Sequence, residues 1–307
     1  MRLLSHPVRF GDTTLGRSMH SETLFDLLAV ALEELGEALD YPFTEILANG
    51  GTPYAPVDVR GCMSQYPIHG ETVRVEGKPV EISTRSFVYQ YVFRRAADGM
   101  EYCRMRVTHV TIAADGDAEP LPEHVRASLS DSLDAGDGES TDNSGGTSGY
   151  PTLDEHASIS EITDGDCEDS PVTFSRDFRI GTPHIEAADW GYFEEYFRFI
   201  SLALEEQLVS RGVNPADICE EGLQIQPAAW HVTFEDVVPY GSTLTVNGAI
   251  HVSDEESATV DNALTVRYHL DSDRGTHIRA VFEYACFGPD KSTEPVPSDV
   301  FGVSQSK

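Results

Sequence analysis

Two stretches of this sequence follow one plan, and the repetition restricts the fold more than any other feature. Residues 10–28 read FGDTTLGRSMHSETLFDLL and residues 178–197 read FRIGTPHIEAADWGYFEEYF. Each passes from a β-like run (Pro7–Phe10 in the first) through a polar turn into an apolar helix. Segment 21–38 sets Leu24, Phe25, Leu27, Leu28, Ala31, Leu32 and Leu35 at helical spacing, and 189–210 does so with Phe193, Tyr196, Phe197, Ile200, Leu204 and Leu208. A face that broad needs cover on most sides. Four strand-like runs follow each helix, near 55–66, 71–83, 85–95 and 101–113, then near 223–235, 242–252, 258–270 and 275–288. The alternation in SFVYQYVFRR and NALTVRYHL is that of strands with one buried face.

One turn supplies the register of the repeat. MSQYPIHGETVRV (63–75) aligns without gaps to FEDVVPYGSTLTV (234–246), pairing Gly70 with Gly241 and Thr72 with Thr243. The segment between the copies, SDSLDAGDGESTDNSGGTSGYPTLDEHASISEITDGDCEDSP (130–171), is rich in Ser, Gly, Asp and Thr and too poor in apolar residues to fold. The expected organisation is a domain at 1–130, a solvated linker at 131–171, a second domain at 172–290 and a flexible tail at 291–307. One long helix wrapped by a curved antiparallel sheet, made twice, satisfies the pattern, which places the chain in the α+β class.

The formal net charge is −31, from 52 acids against 21 bases, and Lys78, Lys291 and Lys307 are the only lysines. Such a balance argues against a nucleic-acid partner. Acids run through both halves as well as the middle, so an acidic tail does not account for them. They fit adaptation to a salt-rich cytoplasm, where dense salt screens self-repulsion. Cys62, Cys103, Cys167, Cys219 and Cys286 form no CxxC pair, a poor framework for disulfides or zinc, and no metal or cofactor is expected. No secretory leader core precedes residue 20 and no apolar run is long enough for a bilayer, which points to a cytoplasmic protein with no membrane partner.

The element order, with VRFGDTTLG before the first helix, YPIHGETVRV at the second turn and RVTHVTIAADGDAEPLPEHVRASL (106–129) closing the first half, resembles the hotdog fold and the 4-hydroxybenzoyl-CoA thioesterase-like superfamily. Two fused copies would form a double hotdog, equivalent to the dimer of single-domain members. The chain would then be a monomeric pseudo-dimer or a homo-oligomer of double hotdogs. The resemblance implies hydrolysis of an acyl-CoA thioester at the interface of two hotdog units, near the start of a central helix. There, backbone N–H groups polarise the carbonyl and a carboxylate attacks it or activates water.

The family turn carries two acids separated by one residue, then a glycine; GDTTLGR is one residue shorter. Asp12 therefore matches either the structural first acid, with Thr14 replacing the catalytic one, or the catalytic acid itself. The second copy offers His184, Glu186 and Asp189 in GTPHIEAAD, and Glu22, Asp26 or Asp189 match the helix-borne acid of other hotdog thioesterases. The candidate catalytic residues are Asp12, Glu22, His184 and Asp189; the candidate substrate contacts are Thr14, Gly16, His20, Ser21 and Gly70. Each also has a structural reading. Asp12 can cap a turn, His20, Ser21 and Asp189 can cap helices, and Glu22 can compensate a helix dipole. His184 can lie at the surface and Gly70 can serve its turn. The asymmetry implies at most one competent centre. Two rival functions are a non-catalytic acyl-thioester-binding or scaffolding protein and an enoyl-CoA hydratase, which Asp12 with His20 fits poorly.

The charge yields the first test. The Debye length grows from ~3 Å at 1 M salt to ~30 Å at 0.01 M, so dialysis into dilute buffer should unfold or inactivate the protein, with recovery in KCl. Equal melting temperatures at low and molar salt would contradict the salt adaptation.

Overall fold

The computed structural model describes residues 1–307 except 15, 50, 52, 113–117, 137–171, 186–190, 215–222, 253–263, 289–292, 295 and 297–307. The first half comprises β1 (Arg2–Pro7), α1 (Ser21–Ala38), α2 (Phe43–Ala48), β2 (Tyr54–Met63), β3 (Thr72–Ile82), β4 (Ser86–Arg95), β5 (Glu101–Ile112), the short β6 (Ala118–Glu119) and α3 (Glu123–Gly136). The second half comprises β7 (Val172–Arg179), α4 (Phe193–Ser210), β8 (Gln224–Phe234), β9 (Thr243–Val252), β10 (Leu264–Ser272), β11 (Gly275–Phe287) and the short β12 (Thr293–Glu294). All strands join one antiparallel sheet in the order β1-β3-β4-β5-β2-β8-β11-β10-β9-β7, with β6 and β12 on β5 and β11. Each half repeats the same spatial order outward from the middle. The two sheets thus meet edge to edge, and the architecture is the double hotdog.

The repeat extends to single bonds. Gly70 and Gly241 both have positive φ, +91° and +81°, which glycine alone adopts freely. Their amides donate to Val8 O (3.1 Å) and Ile180 O (3.0 Å) at the ends of β1 and β7. Side chains then close the core along the central axis. Gly61 of β2 lies opposite Trp230 of β8, and a Cβ at Gly61 would fall 2.3 Å from the Trp230 ring. The absent side chain gives the indole its place. Above the sheet, Phe25 and Phe197, the fifth residue of each long helix, stack at 3.4 Å between centroids and 8° between planes. Such a pair adds about 0.5–1.5 kcal/mol beyond area burial. The next residues, Asp26 and Arg198, form a half-exposed ion pair at 3.5 Å.

Several local expectations need correction. The run Pro7–Phe10 is not a strand: β1 ends at Pro7, and Phe10–Asp12 form a 3-10 turn with Phe10 exposed. Helix α4 starts at Phe193 rather than 189, because Gly191 pairs in extended form with Ile185 and Tyr192 is the N-cap. The proline-bearing tail after β5 continues as α3, which runs through Gly136 into the segment expected to be linker. Its buried Val125 and Leu129 pack against β3, and His124 Nε2 bonds Asp40 O at 3.1 Å, tying it to the end of α1. The linker from 137 on, Asp189 and most of the expected tail lie outside the described residues. Among the described residues no helix is long and apolar enough to cross a membrane, and Cys62, Cys103 and Cys286 are free thiols.

The junction can be tested directly. Gly61→Ala puts a methyl where the fully buried Trp230 ring lies, and overpacking of this kind costs about 1–3 kcal/mol. A urea titration at constant KCl should show a lower midpoint with an unchanged slope.

Candidate active site

Strand β1 ends at Pro7, and the chain must turn sharply before entering α1. Asp12 makes that turn: its carboxylate accepts the Arg9 amide at 2.7 Å and meets His6 Nε2 at 2.8 Å. Desolvation opposes ionisation there, but the Arg9 amide and the His6 ring outweigh it and hold the Asp12 carboxyl below its ordinary value near 3.8. His184 occupies the same place in the second copy. It closes a 3-10 turn at Thr182–His184, and its Nδ1 accepts the Gly181 amide at 3.1 Å. Asp12 and His184 are thus both turn-closing acceptors. Neither lines the cavity described next, and nor does Gly70.

That cavity, of about 280 Å³, opens at the mouth of α1 and is built from both copies. The first copy contributes Thr14, His20, Ser21 and Glu22. The second contributes Ser201, Leu204, Glu205 and Leu208 from α4, Gln224–Pro227 from β8, and Tyr284 from β11. Thr14 Oγ1 accepts the Gly16 amide at 3.3 Å, and Ser21 Oγ donates to Glu22 Oε2 at 3.2 Å. His20 is the N-cap of α1 but makes no side-chain capping bond, so no N-cap side chain takes up the amides of the first turn. Glu22 is the one acid in that turn, and its charge is felt at the floor. The Tyr284 hydroxyl is driven up chiefly by burial, against a bond from Tyr268, with Glu22 adding to the rise. Asp26, one turn further along α1, is also raised by burial, and Arg198 offsets part of the rise.

Sequence reasoning therefore found the first copy's share of this wall (Thr14, His20, Ser21, Glu22) and placed Gly16 beside it. It missed everything the second copy brings. Gln224 and Gln226 are the informative omissions. Both are amides buried in a strand whose other buried residues, His231 apart, are apolar. The pair of Gln residues at period two in QIQPAAW was the available signal.

The pseudo-equivalent position at the other copy is filled. β2 and β8 carry Pro56 and Pro227 at matching points, each followed by a bulge, with Pro56 opposite His109 and Pro227 opposite Tyr284. Tyr54 stands where β8 has Ile225. Its hydroxyl reaches α1 and donates to Leu32 O at 2.7 Å, and Leu32 is the counterpart of Leu204 in the cavity wall. Phe43 of α2, Phe87 and His109 pack edge-on around the Tyr54 ring at 4.9–5.3 Å. Burial pushes His109 down to about 3, so it is neutral, and its Nε2 meets Tyr91 Oη at 3.2 Å.

No protein-family model and no curated protein sequence matches the chain. Solved structures do. A putative oleoyl thioesterase from Lactobacillus plantarum superposes with TM-score 0.65 at 16% identity, over 95% of this chain and 96% of the other. The 12:0-ACP thioesterase from Umbellularia californica gives 0.64 at 12% identity over 93% and 94%. An acyl-ACP thioesterase from Bacteroides thetaiotaomicron gives 0.60 at 9% identity over 92% and 96%. Likeness at these identities concerns the fold, and it extends over both copies.

The turn acid yields a pH test. Because the folded pKa of Asp12 is depressed, its ionised form stabilises the fold above the unfolded pKa, and that contribution is lost as pH falls through the folded value. Asp12→Asn should melt below wild type at neutral pH, and the gap should close on acidification. A gap independent of pH would show that the charge of Asp12 contributes nothing.

Proposed function

We propose that this protein hydrolyses an acyl thioester, with acyl-CoA the expected substrate, and that Glu22 is the working carboxylate. The observation that carries this reading is the cavity at the mouth of α1. It combines an acid in the first turn, a helix start without a side-chain cap and an apolar wall from the second copy. The whole-chain likeness to structures described as thioesterases supports it.

The chemistry follows from the parts. The acyl group lies against Leu204, Leu208, Ile225 and the Tyr284 ring, where burying apolar surface holds it. The thioester carbonyl meets the first-turn amides of α1, at the positive end of the helix dipole. Glu22 removes a proton from water, and the resulting hydroxide adds to the carbonyl carbon. Collapse of the tetrahedral oxyanion breaks the C–S bond, the thiolate leaves with the proton held by Glu22, and the free acid remains. Asp12 and His184 hold the turns that present the helices; Asp189 remains a candidate of the second copy. Working conditions of molar salt and a cytoplasmic setting belong to the same proposal.

The test is thiol release from a panel of acyl-CoA and acyl-carrier-protein thioesters in molar KCl. General-base catalysis is worth ~10²–10⁴-fold, so Glu22→Gln should lose at least about a hundredfold in turnover while acyl-CoA binding persists. Asp12→Asn should stay within a few-fold. Loss at Glu205→Gln instead would move the base to α4. A wild type that binds acyl-CoA without releasing thiol would be a binding protein.

A further inference from the structure

Beside the first-turn amides of α1, the developing oxyanion gains most from a side-chain donor whose position is fixed in advance. Glu22 and Glu205 are acids, and Ser21 Oγ donates to Glu22. Thr14, whose Oγ1 accepts the Gly16 amide, and His20, Ser201 and Tyr284 carry O–H or N–H groups with no bond among the described residues that fixes them toward the cavity. Gln226 Nε2 is spent on Ser18 Oγ (3.0 Å), Met19 O (3.3 Å) and Gln224 Oε1 (2.9 Å). Gln224 differs. It is 6% exposed, and its Oε1 accepts from Ser18 Oγ and from Gln226, which fixes the orientation of the amide. Its Nε2 makes no hydrogen bond to any described residue. That nitrogen lies over Gly16, where an added Cβ would fall 1.8 Å from it, and Gly16 does not have positive φ. The glycine there makes room for the amide and does not serve a left-handed backbone.

We propose that Gln224 is a catalytic residue that the second copy supplies to the turn of the first, its free amide N–H donating to the thioester carbonyl oxygen as negative charge develops there. The inference rests on the thioester reading above. The amide is placed before substrate arrives, because Ser18, Gln226 and the missing side chain of Gly16 settle its position. A preoriented donor of this kind stabilises the transition state without reorganising when the reaction occurs.

The experiment is steady-state hydrolysis, in molar KCl, of whichever thioester in the panel the wild type turns over. Removal of one oxyanion donor costs ~10²–10³-fold in kcat. Gln224→Leu should show that loss with KM little changed. Gln224→Glu keeps an acceptor for Ser18 and Gln226 but presents an oxygen in place of the N–H. It should lose kcat as severely while melting close to wild type. Gly16→Ala should displace the amide and lower kcat, and the double variant Gly16→Ala/Gln224→Leu should be no slower than Gln224→Leu alone, the signature of two changes acting through one group. Wild-type kcat in Gln224→Glu would overturn the inference and leave Gln224 as a turn fastener. A wild type that releases thiol from no thioester would overturn the hydrolase reading and this one together.

Discussion

Antiparallel pairing of β2 with β8 is the contact on which the rest of this structure depends. With Gly61 opposite Trp230 and Val59 opposite Val232, the strands lock at a register that the indole allows only because Gly61 has no side chain. That register relates the halves by an approximate twofold axis and lays α1 and α4 across one another at Phe25 and Phe197. Beyond the crossing, the helices run in opposite directions. The start of α1 therefore faces the body of α4 and the first residues of β8, and the cavity takes its walls from both copies.

An approximate twofold axis would ordinarily produce two such cavities. The backbone frame is repeated down to the proline-bulge pair in β2 and β8, so the difference lies in side chains. Where β8 has Ile225, β2 has Tyr54, long enough to cross to α1, where it satisfies its hydroxyl on Leu32 O. A buried hydroxyl without a partner would cost about 1–3 kcal/mol, and the carbonyl of Leu32 removes that cost. Phe43, Phe87 and neutral His109 complete a packed aromatic cluster. Among the described residues, the Tyr54 side of the axis packs as core and the Ile225 side lines open space.

The open side carries features that a purely structural core would avoid. Two buried glutamines at the start of β8 trade apolar burial for a polar network with Ser18 and Met19. Departures of this sort from local consistency concentrate at functional sites. The network also links the turn before α1 to the second copy, and Tyr66 Oη adds a further link by donating to Pro227 O at 2.8 Å. Assembly of the site and joining of the two halves are one event.

Residues near one another in sequence declared themselves. Periodic apolar positions gave both long helices and the eight strands that follow them, β2–β5 and β8–β11, and Gly70 with Gly241 gave the register of the repeat, because helical and strand periods and glycine turns are local properties. The first-copy share of the cavity was legible for the same reason: Thr14, His20, Ser21 and Glu22 all lie within a few residues of the start of α1. The helical stretch after Pro122 escaped notice because its apolar residues, Val125 and Leu129, are few and make sense only against β3. The contributions of Glu205, Gln224 and Tyr284 depend on partners far away along the chain. Their positions are set by strand pairing across the axis, which no local pattern encodes. The sequence by itself determined two hotdogs and a polar helix mouth; only the tertiary structure decided that the mouth of α1 opens into a cavity walled by both copies, because that turns on whether the side chain at the start of β8, Ile225 where β2 has Tyr54, reaches the opposing helix.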